Sequence, residues 1–227
     1  MRYLLPCLVL LLAGCSSGLS IQRDYSSANH ASRVQYVVLH YTSTDLEHSL
    51  QLLTEGPVSS HYLIGEEPPT LYQLVDENRR AWHAGDSSWQ GRTWLNGSSI
   101  GIELVNPGDS PFPEPQMAAL ERLLHQILAR WGIPAAGVIG HSDMAPGRKS
   151  DPGPRFDWRR LAVQGLAVWP AGAAGDDLPL AESLTRIGYP DDPARLAAFR
   201  LRFRPWADGP EDATDRRIAA ALAYSVS

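Results

Sequence analysis

Two histidines and an aspartate in this 227-residue chain end segments that should be well fixed in space. His40 closes the run VVLHYT, His141 closes VIGHSD, and Asp151 lies in RKSDPGP, where Pro152 and Pro154 restrict the backbone. Two imidazoles and one carboxylate form the donor set of a hydrolytic zinc ion, which takes three protein ligands and keeps one position open for water. Zinc in such a site lowers the pKa of water from about 15.7 to about 7. The spacing alone leaves a plainer reading open, because the chain has no HExxH motif and a histidine at a strand end is more often a hydrogen-bonded structural residue.

Glu103 and Lys149 add to that set. In SIGIELVN, Ile100, Ile102 and Leu104 point to one face by the two-residue period, so Glu103 points to the other with Gly101 and Val105. A carboxylate in such a strand is costly to bury unpaired. It is either the ion-pair partner of an arginine or a general base that takes a proton from water. Lys149 is the only lysine among 20 basic residues. A compact ammonium on a flexible stem suits a single oxygen as it becomes anionic, whereas arginine presents a wide planar fork.

The elements that must position these groups are legible in outline. Strand patterns run over 34–41, 60–64, 71–75, 99–105 and 138–141, separated by stretches rich in Gly, Pro, Asn and Ser. A helix from about Gln116 to Trp131 places Leu120, Leu123, Leu124, Ile127 and Leu128 on one side, with Gly132 as its cap. Alternation of this kind predicts an α/β domain with helices covering a sheet, over residues 33–168. A small-residue and proline stretch, 169–178, reads as a linker. Three short helical patterns follow in 179–227: 180–187 stopped by Gly188, 193–203 opened by Asp192, and 213–224 opened by Asp212. So few residues bury little surface unaided, so these helices should pack on each other and partly on the larger domain.

With 44% hydrophobic and 20% charged residues the chain can bury a real core, and a net charge of -5 offers no basic footprint for nucleic acid. Residues 1–14 read as a signal peptide: a basic start, then an apolar run too short to span a bilayer. The run ends in LAGC, which resembles the lipobox of bacterial lipoproteins, so Cys15 should become a lipid-bearing N-terminus followed by a polar tether over 15–32. Cys7 would leave with the signal, so one mature chain would hold no disulfide. Ser16, rather than an aspartate, follows Cys15, which for a lipoprotein implies the outer membrane, with the chain facing the periplasm.

Taken together, VVLHYT, SSHYLI, LYQLVDENRRAWHAG, SIGIELVN and GHSDMAPGRKSDPGP resemble the amidase-2 family of N-acetylmuramoyl-L-alanine amidases, in its branch of outer-membrane lipoproteins, over about residues 33 to 158. The resemblance implies a mixed central β-sheet flanked by helices, as in peptidoglycan-recognition proteins, followed by a small three-helix C-terminal domain that is peptidoglycan-binding-like. It implies a monomeric zinc enzyme cutting the amide between the lactyl group of N-acetylmuramic acid and L-alanine in peptidoglycan or muropeptides, anhydro-muropeptides included. It assigns zinc ligation to His40, His141 and Asp151, the general base to Glu103 and oxyanion stabilisation to Lys149. His83, in AWHAG, is expected to contact substrate with Trp82 packing under it, and His61 to support the site or to belong to the core. His30, His48 and His125 read as structural or solvated, and Trp89 and Trp94 as sugar-stacking groups or satellite packing. Rival readings are a non-catalytic peptidoglycan-recognition lipoprotein, a peptidase cutting within the stem, and a structural tether between membrane and wall.

Overall fold

The β-branched and aromatic run YVVLHY forms β1 (Tyr36–Tyr41), with its first five residues buried. The computed structural model describes residues 21–170 and 178–225; the expected signal peptide, Cys15 and most of the linker lie outside the described residues. Residues 21–31 carry no helix or strand, and Ser32–Ser227 form a second unit that holds every element.

β1 is flanked by two parallel strands. SIGIEL forms β6 (Ser99–Leu104) on one side, with His40 opposite Glu103 in register. VIG forms β7 (Val138–Gly140) on the other, with Leu39 opposite Gly140. β2 (Tyr62–Ile64) lies parallel to β6, and β3 (Leu71–Gln73) antiparallel to β2. The mixed sheet therefore runs β3-β2-β6-β1-β7, and β4 (Ser88–Trp89) with β5 (Arg92–Thr93) makes a separate two-stranded ribbon.

Alternation along the strands gives the sheet two different faces. Val37, Leu39, Ile100 and Ile102 join Leu120, Leu124 and Ile127 of α2 (Glu114–Trp131) in one core. Each such fully buried side chain stabilises the fold by about 1.5–3 kcal/mol relative to exposure. Gly132 ends α2 at φ 66°, a left-handed conformation that costs glycine little. On the other face Tyr36, Val38 and Ile139 share a core with Leu184, Phe199 and Leu222. Those three come from α5 (Leu180–Ile187), α6 (Arg195–Phe203) and α7 (Ala213–Ser225). The C-terminal helices thus cover one part of this face, and His40 and Glu103 lie further along it.

Three further helices complete the fold. α1 (Leu46–Glu55), opened by the Asp45 carboxylate accepting the His48 N–H, follows β1. The six-residue α4 (Trp158–Val163) is similarly opened by Asp157. His141 does not end a strand but begins α3 (His141–Met144), because the Asp143 carboxylate accepts the N–H of Gly140 at 2.8 Å and turns the chain there. No helix among the described residues is long and apolar enough to cross a membrane.

Candidate metal centre

Register brings the three expected ligands together. His40 sits beside Glu103 across the β1–β6 pair, and His141 stands one residue past the Leu39–Gly140 pair. Asp151 arrives on the loop after α3, where its carbonyl accepts the N–H of Ser142 at 2.9 Å. His40 Nδ1 is 2.8 Å from Asp151 Oδ2, His141 Nδ1 is 3.1 Å from the same oxygen, and the two nitrogens are 3.0 Å apart. All three residues are buried, and together they can hold a metal ion.

The surrounding hydrogen bonds decide which ring nitrogens carry protons. Ser99 Oγ donates to the Leu95 carbonyl at 2.6 Å, so it offers a lone pair to His83 Nε2 at 3.2 Å. With its proton on Nε2, His83 presents Nδ1 as an acceptor to His40 Nε2 at 3.0 Å. His141 Nε2 donates to the Ala84 carbonyl at 3.0 Å. Both rings therefore carry a proton on Nε2 and can present a lone pair on Nδ1. Burial pushes the His40 imidazole down to about 4 against the pull of Asp151, so the ring is neutral near pH 7. Three electron-rich atoms at mutual distances near 3 Å repel one another, and a cation among them converts that repulsion into coordination. Two imidazole nitrogens and a carboxylate oxygen are a set that zinc accepts.

The rest of the cluster supports this geometry. Burial pushes His83 well below the usual imidazole range, and neighbouring His40 adds to the fall, consistent with a neutral ring. A Cβ on residue 101 would stand 2.5 Å from His83 Cγ, so the ring lies over β6 only because Gly101 has no side chain. Asn96 Oδ1 accepts the N–H groups of His83 and Ala84 at 3.0 and 2.7 Å. His61 is fully buried: its Nδ1 accepts the Gly101 N–H at 3.0 Å and its Nε2 donates to the Arg79 carbonyl at 3.1 Å. It is not among the residues that line the cleft and instead ties β6 to the loop carrying His83.

The centre opens into a cleft of about 350 Å³, walled by Glu103, Lys149, Trp82 and His83 beside the three ligands. Glu103 Oε2 is buried and has no hydrogen-bond partner. Burial and the nearby Asp151 charge raise its carboxyl well above the usual range, against the opposing charge of Lys149. A buried acceptor left unpaired in a cleft calls for an explanation, and proton transfer supplies one. Lys149 is exposed, and its backbone N–H is anchored to the Ala145 carbonyl at 3.0 Å. Trp82 is half exposed at the cleft, with the Arg80 guanidinium 5.6 Å from its ring.

Trp89 and Trp94, five positions apart, have opposite fates. Trp89 is buried edge-on to Tyr189 at 5.0 Å, while Trp94 is exposed at φ 57°. His30, His48 and His125 are exposed. Ser99, Asn96 and the Ala84 carbonyl were not visible as site groups in the sequence; the one pointer was Gly101, a glycine inside a strand pattern, which often marks a close approach.

Residues 30–154 match the family model described as N-acetylmuramoyl-L-alanine amidase. The chain is 41% identical to the N-acetylmuramoyl-L-alanine amidase AmiD of Escherichia coli strain K12, over 94% of each sequence. Its structure is similar to that of E. coli AmiD in complex with the substrate anhydro-N-acetylmuramic acid-L-Ala-D-γ-Glu-L-Lys, with a TM-score of 0.84 and 38% identity, covering 92% of this chain and 95% of that one. AmpDh3 of Pseudomonas aeruginosa, in complex with an anhydromuramic pentapeptide, is likewise similar at a TM-score of 0.83 and 33% identity, over 92% of this chain and 99% of the other.

Proposed function

Given that the chain belongs to the amidase-2 family of N-acetylmuramoyl-L-alanine amidases, we propose that it is a zinc enzyme hydrolysing the amide between the lactyl group of N-acetylmuramic acid and L-alanine. The observation that carries this reading is the convergence of two Nδ1 atoms and one Asp151 oxygen in the cleft that Glu103, with its unpartnered Oε2, also lines. His40, His141 and Asp151 would hold the zinc. The chemistry zinc supplies when bound is Lewis acidity, which activates water and polarises the amide carbonyl.

The chain's own residues do the rest. Glu103 accepts a proton from the attacking water and returns it to the leaving nitrogen, since an amine departs far more readily than an amide anion. Burial raises its carboxyl, which favours the protonated form that returns the proton to the nitrogen. Lys149, exposed at the rim on a flexible stem, meets the carbonyl oxygen as it becomes anionic. Trp82 and His83 wall the cleft where the substrate lies.

The relatives solved with anhydro-muramic peptides support soluble wall fragments as substrates alongside intact peptidoglycan. In the same reading the chain is a monomer with a catalytic domain over 33–168 and a wall-binding helical domain over 179–227. A lipid on Cys15 tethers it to the outer membrane, facing the periplasm. Mass spectrometry of muropeptides digested with the purified chain tests the reaction. Release of an intact stem beginning with L-alanine, abolished by a chelator, is the expected result; cleavage within the stem, or binding without turnover, contradicts it.

A further inference from the structure

We infer that Arg202, on α6, and Tyr189, just after α5, both outside the cleft, are positioning residues for His141 and act through Asp143. The inference rests on the zinc reading above.

Asp143 is completely buried two residues after the ligand, and its carboxylate has three partners. It accepts the Gly140 N–H at 2.8 Å, which starts the turn that carries His141. It accepts the Tyr189 hydroxyl at 2.6 Å and Arg202 Nη1 at 2.9 Å. Gly140 lies within the catalytic region, whereas Tyr189 follows α5 and Arg202 lies on α6. The charge that shapes the ligand turn is therefore neutralised by a residue from the C-terminal helices. An ionised carboxylate this deep is tolerated only when paired, and removal of one partner leaves an uncompensated charge.

Arg202 has a second partner near the turn. Its guanidinium stacks 3.9 Å from the centre of the Trp158 ring. A Cβ on Gly140 would come 3.3 Å from Trp158 Cζ2 and 2.8 Å from Pro152, the residue after the ligand Asp151. One guanidinium thus pairs with Asp143 and stacks on Trp158, whose ring lies close to Gly140, so its partners lie near both residues that flank His141 in the turn. The same helix offers an internal comparison. Arg200 pairs with the buried Asp215 at 2.5 Å, a contact made wholly among the C-terminal helices.

The test measures zinc dissociation constants by chelator competition, with cobalt(II) absorption as a report on ligand geometry and circular dichroism melts as a fold control. Purified wild-type chain is compared with Arg202→Leu, Tyr189→Phe and Asp215→Asn. Arg202→Leu should weaken zinc binding on the order of tenfold and alter the cobalt spectrum. Tyr189→Phe, which deletes one hydroxyl, should show a smaller loss in the same direction. Asp215→Asn should lower the melting temperature and leave the zinc constant unchanged. Should Arg202→Leu fail to fold, Tyr189→Phe decides. Wild-type affinity in Tyr189→Phe together with any folded Arg202→Leu, or an equal loss in Asp215→Asn, overturns the inference while leaving the zinc reading intact. A wild-type chain that binds no zinc overturns both.

Discussion

His83 Nδ1 stands 3.0 Å from His40 Nε2, on the edge of the His40 ring remote from Asp151. The contact fixes a tautomer rather than adding a ligand, because the proton it locates on Nε2 leaves Nδ1 bare. Replacing His83 with Ala should therefore weaken zinc binding by about 10–100-fold, as loss of a partner behind a metal-ligating histidine generally does. Chelator competition measures this. Unchanged affinity with a raised KM would make His83 a wall of the cleft and nothing more.

Glu103→Gln keeps the shape of the side chain and removes its basicity. Zinc content should stay at the wild-type level while kcat falls by about 10²–10⁴. Metal analysis beside steady-state kinetics separates the two effects, and a rate near wild type removes Glu103 from proton transfer.

Lys149→Arg preserves charge yet should lower kcat/KM, because a planar fork cannot replace a point charge at a single developing oxyanion. Zinc affinity should not change. Full activity in this variant means that any cation at the rim suffices.

Away from the cleft, Glu77 is buried beneath three donors: the Tyr62 hydroxyl at 2.7 Å, Trp131 Nε1 at 2.5 Å, and Arg130. Burial pushes its carboxyl up, but these hydrogen bonds outweigh burial and hold it below the ordinary 4.5. A carboxyl depressed in the folded state contributes stability above its unfolded pKa and loses it as the pH falls through the folded value. Stability should thus drop as the pH goes below about 4.5. Glu77→Gln should cost about 2 kcal/mol near neutral pH and flatten that acid limb. Denaturant unfolding across this range checks both, and an equally steep limb in the variant would assign it to other carboxylates.

Part of this site is legible in local sequence patterns, and the rest of the expected set came from the family resemblance. The two-residue period put Glu103 on the face away from Ile100 and Ile102, and the observed core agrees. The C-terminal helices were marked by Gly188 and Asp212, local signals that need no tertiary context. What escaped depends on contacts between distant segments. The Ser99–His83–His40 relay joins three elements and requires the absence of a Cβ at 101, so no single window of sequence contains it. The apolar run stops at His141 and so predicts a strand end there; the side chain of Asp143, two residues on, makes it the first residue of a helix. Trp89 and Trp94 share one polar stretch, and only the packing of Tyr189 against Trp89 separates them.

The central claim is that His40, His141 and Asp151 share one zinc ion, and the direct measurement is the zinc stoichiometry of the purified wild-type chain against Asp151→Ala. The account predicts one equivalent in the wild type, and loss of both metal and turnover in the variant. A variant that retains a full equivalent, or a wild type that takes up none, contradicts it.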